Sequence, residues 1–506
     1  TKDMPYGIYT VHQTVGWEGT EFIADFDVNI SESGQTYRYL INNAKFESYI
    51  KIVKVDSETG KTIPYEGAGF EIYDSNGQKI SMTFSYPTPT TIDTFYTNSE
   101  GYLITPEVLP YGEYSLVEVQ APYGYALDKT PVAFSVSLEN AEKENSLTIV
   151  KVEKQNTAQK GKISVRKTGD IFTSVTTASS AYTNENGEMI VNPTTYTPVF
   201  ANGDLSGAVF QVIAVEDIVT LDGTVRASAG DVVAEITTDE NGYAETEPLY
   251  LGKYEVREIK APYGYVLNNE PKDVELTYAG QEFEVRDTVN TAFENEYQSV
   301  RISLSKVMEN DELFGIGNNN EYLSVRFGLF AAEDIQAADG TVIPVDGLIS
   351  EISLDENMTA VIAEKIPFGK YYVQEIATDE HYVLNGEKYL VTFKYMGQEV
   401  TTVSIDCGQF VNELKRGKVE GIKVNESDEP LENAVFGLFT ADCVKFSRDT
   451  AVMTAASDEN GFFEFDDVPF GKYIVREIES PRGYILSGKE YAVSIAEDGE
   501  VIEITA

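Results

Sequence analysis

At four matching places of a repeat in this 506-residue chain, an asparagine is followed eleven residues later by a lysine. The pairs are Asn43 and Lys54, Asn156 and Lys167, Asn295 and Lys306, and Asn412 and Lys423. A repeated phrase with a glutamate at its fifth position follows each lysine: Glu118 in YSLVEVQAPYGY, Glu258 in YEVREIKAPYGY, Glu375 in YYVQEIATDEHY and Glu477 in YIVREIESPRGY. Ionisable and amide groups are costly to bury unless they are paired, so packing alone does not explain their repetition. The pattern predicts tandem modules in which a Lys, a Glu and an Asn meet.

Length and charge limit the classes of protein. A chain of 506 residues predicts about three to five domains. Its 38 basic and 83 acidic side chains give a net charge of −45, which disfavours nucleic acid and anionic lipid as partners. We interpret this charge mainly as a source of solubility, with a cationic partner as the alternative. The sequence shows no membrane span and no signal peptide, and it begins and ends inside the repeat, so we expect a fragment of a longer protein.

Few residues suit a metal or redox site. Cys407 and Cys443 fall in different predicted modules, which excludes a disulfide framework. His12 and His381 lie far apart in sequence, which disfavours a zinc site or a His-based triad. The acidic turns DSETG and TDENG lack the ligand spacing of an EF-hand loop and are interpreted as hairpin turns. We therefore expect no metal and no cofactor.

The periodicity of the diagnostic segments is two, with many β-branched and aromatic residues and with Gly, Asn and Asp at turns. This pattern is typical of all-β sandwiches. We predict boundaries between each Asn and the following Lys. The predicted segments are a remnant of a preceding module (residues 1–45), module 1 (46–158), module 2 with long insertions (159–297), module 3 (298–414) and a truncated module 4 (415–506). The Thr- and Ser-rich stretch 171–203 of module 2 is predicted to form surface loops.

The strand parity predicts where the polar residues point. Each Glu shares its strand face with a Tyr four residues earlier, and Lys54 shares its face with Ile50 and Ile52. Burial disfavours charge, lowering the pKa of a lysine and raising that of a glutamic acid. A neutral amine is a nucleophile, and a neutral carboxylic acid can hydrogen-bond to the Asn carbonyl oxygen and shuttle protons while ammonia leaves. We predict an intramolecular Lys–Asn isopeptide bond, with a buried, hydrogen-bonded ion pair as the alternative.

These motifs resemble a known family. The K-V-D-x-x-T-G strand at Lys54–Gly60, the G-A-x-F strands at Gly67–Phe70 and Gly207–Phe210, and the E-x-x-A-P-x-G-Y phrase resemble SpaA-type, collagen-adhesin B-type domains of Gram-positive surface proteins and pilins. The resemblance implies tandem prealbumin-like (reverse immunoglobulin) sandwiches that form an elongated rod. Residue by residue, it implies three bonds with a catalytic Glu each: Lys54–Asn156 with Glu118, Lys167–Asn295 with Glu258, and Lys306–Asn412 with Glu375.

Two segments depart from the pattern. In module 4, Lys423 and Glu477 are present, but no Asn occurs at the equivalent place before Ala506. In residues 1–45, Asn43 has no upstream Lys strand, and Gln13 stands where the other modules have Glu. We expect neither segment to form a bond by itself.

The predicted function is a structural stalk of a bacterial cell-surface adhesin, extracellular and anchored to the cell wall by a part outside these residues. Its chemistry would be limited to single-turnover bond formation, so we do not expect an enzyme. The alternatives are the backbone subunit of a sortase-assembled pilus and, from another class, carbohydrate-binding or spacer modules of a secreted enzyme. A host or matrix ligand would bind a tip domain outside this fragment, and a sortase is a partner if the flanks carry a sorting signal.

Overall fold

A computed structural model describes residues 3–85, 87–183, 189–191 and 193–505. The described residues form β-strands and their connections, and their one helical element is the 3₁₀ turn Glu321–Ser324. The prediction of an all-β chain of prealbumin-like domains is confirmed. Among the described residues, no helix is long and apolar enough to cross a membrane. The side chains of Cys407 and Cys443 are both free thiols.

The strands are numbered in chain order. The first part of the chain contains β1 Gly7–Val11, β2 Phe26–Ile30, β3 Glu47–Asp56, β4 Gly69–Asp74, β5 Met82–Phe84, β6 Thr90–Ile92, β7 Phe95–Tyr96, β8 Tyr102–Ile104, β9 Leu109–Pro110, β10 Gly112–Gln120, β11 Val132–Val136, β12 Ala141–Glu144 and β13 Leu147–Asn156. The next part contains β14 Lys160–Gly161, β15 Ile163–Ala178, β16 Ala181–Thr183, β17 Met189–Val191, β18 Thr195–Asp204, β19 Val209–Ala214, β20 Ile218–Val219, β21 Val225–Ala227, β22 Val232–Thr237, β23 Tyr243–Glu245, β24 Leu249–Tyr250, β25 Gly252–Lys260, β26 Lys272–Leu276 and β27 Val289–Asn295.

The remaining strands follow the same order. They are β28 Ser299–Met308, β29 Arg326–Ala331, β30 Ile335–Gln336, β31 Val342–Ile343, β32 Leu348–Ser353, β33 Thr359–Ile362, β34 Gly369–Ala377, β35 Tyr389–Phe393, β36 Thr402–Asn412, β37 Arg416–Ile422, β38 Val435–Thr440, β39 Met453–Ala456, β40 Phe462–Pro469, β41 Gly471–Glu479, β42 Glu490–Ile495 and β43 Val501–Thr505.

The chain divides into two compact units. The first comprises Thr1–Thr168, Asp204–Pro262 and Asn268–Glu294, and the second comprises Gly169–Gly203, Tyr263–Leu267 and Asn295–Ala506. Within these units we keep the names module 1 to module 4 for the ranges predicted from the sequence, and those boundaries remain our proposal.

Module 1 consists of two sheets that enclose one core. One sheet has the order β11-β10-β4-β7, and the other has the order β12-β13-β3-β8, with β9 also paired to β3. Strands β3 and β13, the first and last of the module, are parallel neighbours, as are β28 and β36 in module 3 and β37 and β43 in module 4. This arrangement places the strand of each Lys beside the last strand of its module.

Alternate residues of these strands fill separate apolar cores. The first core includes Ile50, Phe70, Leu116 and Val152, the second Val165, Phe210, Val256 and Phe293, the third Leu304, Phe327, Val373 and Phe410, and the fourth Val419, Phe436, Val475 and Val493. Each of these side chains is at most 6 % exposed, so the period-two pattern of the sequence corresponds to buried sheet faces.

The insertion at 171–203 differs from the prediction of surface loops. Apart from residues 184–188 and 192, which lie outside the described residues, much of it forms strands, and β18 pairs with β32 at Thr195 and Leu348. The side chains of Phe172, Val175 and Tyr196 pack against the module 3 core within the second unit. The insertion therefore forms a β-ribbon, because its alternating apolar residues find a partner surface.

Candidate functional site

The two sheets of module 1 bring the predicted polar residues into one core. Lys54 lies on β3 and Asn156 at the end of the neighbouring β13, while Glu118 lies on β10 in the other sheet. In register, Lys54 faces Lys154, and Asn156 faces Asp56 two residues further along β3. Lys54, Glu118 and Asn156 are each at most 2 % exposed. The Lys and Asn side chains thus converge on the Glu from one sheet.

Glu118 contacts both other groups in module 1. The Nζ atom of Lys54 lies 2.9 Å from Glu118 Oε1, and Asn156 Nδ2 donates to Glu118 Oε2 at 2.7 Å. Lys54 Nζ also donates to the backbone oxygen of Lys154 at 3.1 Å. The Oδ1 atom of Asn156 is buried without a hydrogen-bond partner among the described residues. Module 1 therefore places the amine and the amide on the two oxygens of one carboxyl group.

Module 3 contains the complete set of contacts. Lys306 Nζ lies 2.9 Å from Glu375 Oε1 and also donates to Asn412 Oδ1. Asn412 Nδ2 lies 3.0 Å from both Glu375 oxygens and donates to Thr378 Oγ1 at 2.8 Å. Thr378 belongs to the ATDEHY phrase that departs from the Pro-Gly pattern, so this departure adds a polar contact to the site. Amine, carboxyl and amide are all in mutual contact here.

Module 2 brings its Lys and Glu together within the first unit. Lys167 Nζ lies 3.3 Å from Glu258 Oε1, and both side chains are fully buried. The same amine lies 5.8 Å from the ring of Phe293, which precedes Asn295 by two residues on β27. Asn295, the last residue of that strand, is 2 % exposed. The Lys and Glu geometry therefore resembles that of the other modules.

The two segments that depart from the pattern retain part of this geometry. Lys423 Nζ lies 3.3 Å from Glu477 Oε1, but the Lys423 side chain is 12 % exposed, against 0 % for Lys54. In residues 1–45, Asn43 Nδ2 donates to Gln13 Oε1 at 3.0 Å. Gln13 therefore occupies the place of the Glu, as the sequence alignment predicts, but its amide cannot accept and release a proton as a carboxyl group does.

Burial lowers the pKa of the lysine amines and so favours their neutral form. Desolvation lowers the pKa of both Lys54 and Lys167 to about 8, even though the adjacent Glu acts in the opposite direction. Desolvation also lowers the pKa of Lys306. With a pKa of about 8, roughly a tenth of an amine is neutral at pH 7, whereas a free lysine amine is almost wholly charged. The folded core thus supplies a nucleophilic amine near neutral pH, and the neutral fraction of that amine increases as the pH rises toward 8.

The amide orientation differs from the sequence-based expectation. We expected the Glu to contact the carbonyl oxygen of the Asn, but in modules 1 and 3 the amide nitrogen faces the Glu. The physical reason is that a carboxylate only accepts hydrogen bonds, so it pairs with the N–H donors of the amide. This orientation places the carboxyl group next to the nitrogen that would leave as ammonia.

A backbone N–H that the sequence analysis missed holds every Glu. Ten residues after each Glu, a turn residue donates its N–H to the Oε2 atom of that Glu. The donors and their distances are Asp128 at 3.1 Å, Asn268 at 2.8 Å, Asn385 at 2.8 Å and Ser487 at 2.8 Å. The constant spacing of ten residues, always ending on a turn-forming residue type, is the signal that would have identified it.

An aromatic ring also belongs to each site. The Phe of the G-A-x-F strand in modules 1 and 2, and Phe327 and Phe436 at the equivalent places of modules 3 and 4, pair in register with the Glu, next to an irregularity in the ladder in each module. In the first three modules the Lys amine lies 5.8 to 5.9 Å from the centre of this ring. The pairs are Lys54 with Phe70, Lys167 with Phe210, and Lys306 with Phe327. The ring excludes water from the amine and offers its negative face to any charged fraction.

Turns that end at Gly101 and Gly242 accept hydrogen bonds from the backbone of the lysines. Lys54 N–H donates to Gly101 O at 2.9 Å, and Lys167 N–H donates to Gly242 O at 2.7 Å. Gly242 has a φ of +66°, and a Cβ atom there would lie 2.4 Å from the backbone oxygen of Lys167. Only glycine fits such a position without a shift of the chain. These turns therefore fix the lysine strands.

The fold and the buried Lys, Glu and Asn sets define a chain of prealbumin-like β-sandwich domains. A family model described as SpaA, a prealbumin-like fold domain, matches residues 48–152, 200–290 and 417–506, which together exceed half of the chain. The chain belongs to this family, which confirms the resemblance drawn from its motifs. Residues 298–414 lie largely between the matched ranges.

Individual proteins are similar over parts of the chain. A stretch of 145 residues, 28 % of this chain, is 26 % identical to the trypsin-resistant surface T6 protein of Streptococcus pyogenes serotype M6 and covers 26 % of that protein. Among solved structures, the Bacillus anthracis TIE protein aligns with a TM-score of 0.49 and 18 % identity, over 91 % of this chain and 74 % of that one. BcpA, the major pilin subunit of Bacillus cereus, aligns with a TM-score of 0.19 and 14 % identity, over 91 % and 98 %.

Proposed function

We propose that three modules close an intramolecular isopeptide bond: Lys54 with Asn156, Lys167 with Asn295, and Lys306 with Asn412. Glu118, Glu258 and Glu375 would act as the respective proton shuttles. The observation that carries this proposal is the contact set of module 3, where the amine of Lys306 touches both the carboxyl group of Glu375 and the amide of Asn412 in a buried core.

The proposed reaction needs no other reactant. The neutral Nζ of Lys306 attacks the Cγ atom of Asn412, while Glu375 accepts the proton that the amine loses. Glu375 then gives a proton to Nδ2, the bond from Cγ to Nδ2 breaks, ammonia leaves and the Nζ–Cγ amide bond remains. The folded core supplies the proximity that makes this aminolysis feasible, and the reaction occurs once in each module.

The alternative interpretation is a buried ion pair with a hydrogen-bonded Asn. Such pairs contribute little net stability, because the cost of removing two charges from water offsets their attraction. That interpretation does not explain why an amide accompanies the pair in modules 1 and 3. We therefore favour the covalent function.

We further propose that the chain is an extracellular stalk on a Gram-positive cell wall, with its modules carrying load. The match to a streptococcal surface protein supports the location. A bond between the first and last strands of a module would carry a pull on the chain ends and leave the core strands unloaded. The same bonds would serve the second candidate, a backbone subunit of a sortase-assembled pilus, since its load also runs along the chain.

Contacts between modules 1 and 2 inside the first unit support a load-bearing role. The guanidinium group of Arg226 lies 2.9 Å from Asp56 and 2.8 Å from Glu58, and its side chain is 8 % exposed. Buried, charge-assisted contacts of this kind restrain one module against the next.

Replacing Glu118 with Ala should leave the fold intact but remove one ammonia loss, because module 1 would have no proton shuttle. Intact mass spectrometry of the purified variant measures this directly, because its deficit from its own sequence mass should be two ammonia molecules instead of three. Glu477→Ala is the matched control, since Glu477 contacts a Lys but the 506-residue chain has no Asn at the equivalent register. An unchanged mass deficit in Glu118→Ala would show that the role assigned to Glu118 is wrong.

A further inference from the structure

Module 1 buries a second lysine beside its candidate bond. Lys154 is 1 % exposed and lies two residues before Asn156 on β13. Its Nζ atom lies 2.8 Å from Asp128 Oδ2 and donates to Thr130 O at 2.7 Å. The predicted chemistry gives this lysine no task. The corresponding residues of modules 2 and 3 are phenylalanines, Phe293 and Phe410.

Modules 2 and 3 also connect this turn to the last strand, but there the turn donates the hydrogen bond and the strand accepts it. Asn268 and Asn385 occupy the place of Asp128, ten residues after the Glu. Their side-chain Nδ2 atoms donate to backbone oxygens of the last strand, Asn268 to Glu294 O and Asn385 to Val411 O, both at 3.1 Å. In each case the acceptor is the residue directly before the Asn of the candidate bond.

An aspartate at this turn position cannot make the same connection. Its carboxylate has no N–H to donate and would face a carbonyl oxygen of the last strand. In module 1 the donor stands on the strand instead: the Lys154 ammonium reaches the turn and binds Asp128. Although desolvation opposes it, the hydrogen bond from Lys154 helps to lower the pKa of Asp128 to about 2, so the acceptor stays ionised.

The connected turn holds two groups of the candidate reaction. The backbone N–H of Asp128 donates to Glu118 Oε2 at 3.1 Å. The backbone oxygen of Ala126, two residues earlier, accepts a hydrogen bond from Asn156 Nδ2. A shift of this turn would therefore move the proton shuttle and the leaving nitrogen relative to each other.

We propose that Lys154 and Asp128 form a clasp that positions Glu118 and Asn156 for closure of the Lys54–Asn156 bond. The clasp rests on the proposed cross-linking function and adds two positioning residues to it. Lys154 is not a competing nucleophile, because its ammonium is engaged by a carboxylate and a carbonyl oxygen. In modules 2 and 3, the hydrogen bonds from Asn268 to Glu294 O and from Asn385 to Val411 O hold the turn in the same way.

The test exchanges one clasp for the other in the full chain. The variants are Lys154→Phe, Asp128→Asn and the double substitution, which recreates the Phe and Asn of modules 2 and 3. Each protein is made by cell-free synthesis, sampled with time after translation is stopped, denatured and digested. Mass spectrometry then quantifies the 54–156 cross-linked peptide and, as the internal control, the 306–412 peptide from the same molecules.

Each single substitution should slow closure of the 54–156 bond by about ten-fold or more. Lys154→Phe leaves Asp128 without its donor, Asp128→Asn leaves the buried Lys154 amine at the turn without its carboxylate, and a small misplacement of reacting groups has a large effect on rate. The double variant should recover the rate of the unaltered chain to within about two-fold, since the side-chain amide introduced by Asp128→Asn can donate to Gln155 O. The 306–412 bond should form at one rate in all four proteins. Such recovery is not expected from a merely structural role of a buried Lys–Asp pair.

Two results would overturn the clasp while leaving the cross-linking function standing. In one, both single variants close the 54–156 bond at the unaltered rate. In the other, the double variant is as slow as the single variants, although circular dichroism shows that it has folded. If neither peptide is found in the unaltered chain, the cross-linking function itself fails, and the clasp fails with it.

Discussion

Replacing Lys54 with Met should lower the free energy of unfolding of module 1 by about 4 to 5 kcal/mol. The bond would join residues 102 positions apart (156 minus 54), and a cross-link over so long a loop removes much of the conformational freedom of the unfolded chain. Met is close in length to the lysine side chain and replaces its apolar methylene stem, so the core retains most of its packing. The main change is the loss of the covalent link.

Urea unfolding followed by hydrogen exchange of peptides from β3 and β13 measures this effect in the full chain. Lys423→Met is the matched control, because it removes a Lys–Glu contact of 3.3 Å in a module for which no bond is expected. Its effect gives the cost of leaving a buried Glu without its amine, which Lys54→Met also incurs at Glu118, so the difference between the two variants isolates the covalent link. Equal losses of stability in the two variants would contradict a covalent bond in module 1.

Pulling the chain from its ends should release a long segment only when the bond is absent. In the unaltered chain, the proposed Lys54–Asn156 bond carries the force past the residues between them. In Lys54→Met those residues extend, which makes about 340 to 370 Å of additional chain available at full extension. Few single substitutions change the mechanics of a domain by so much.

Single-molecule force spectroscopy on the full chain measures this added length. The control Lys423→Met should show the same total extension as the unaltered chain, since we expect Lys423 to form no bond within residues 415–506. Release of the whole module 1 length by the unaltered chain would contradict the load path that we propose.

The strand pattern and the polar sets were within reach of sequence analysis because both repeat. Alternation in strands such as β3 and β10 predicts which face is buried, and Lys54 and Glu118 share that parity with apolar neighbours. The family resemblance also limited the partners, because it implies that the first and last strands of a module carry the Lys and the Asn. The burial of these groups could therefore be predicted from the sequence alone.

The missed features depend on the backbone and on geometry across the sheets. The N–H of Asp128 that holds Glu118 belongs to a turn, and any residue type can supply a backbone N–H. The amide orientation of Asn156 depends on which atom finds an acceptor, a choice that composition does not encode. Likewise, Lys154 shares parity with Asn156, but only the structure shows that it binds Asp128 and lies outside the proposed reaction.

The ribbon at 171–203 was mispredicted for a different reason. Its Thr- and Ser-rich composition is typical of loops, but Thr is also a good strand former when it has a partner strand. Strand β18 pairs with β15, which begins before the insertion, and its other neighbour, β32, meets it at Thr195 and Leu348, more than 140 residues away in sequence and beyond the reach of a local pattern. Local composition therefore favoured a loop, and tertiary pairing produced strands.

The mass of the intact, purified chain under denaturing conditions tests the central claim most directly. We expect it to fall below the sequence mass by three ammonia molecules, one for each bond in modules 1, 2 and 3. Digestion should then assign one loss to each cross-linked pair. A mass equal to that of the sequence would contradict the account, because the Lys, Glu and Asn groups would then be in contact without having reacted.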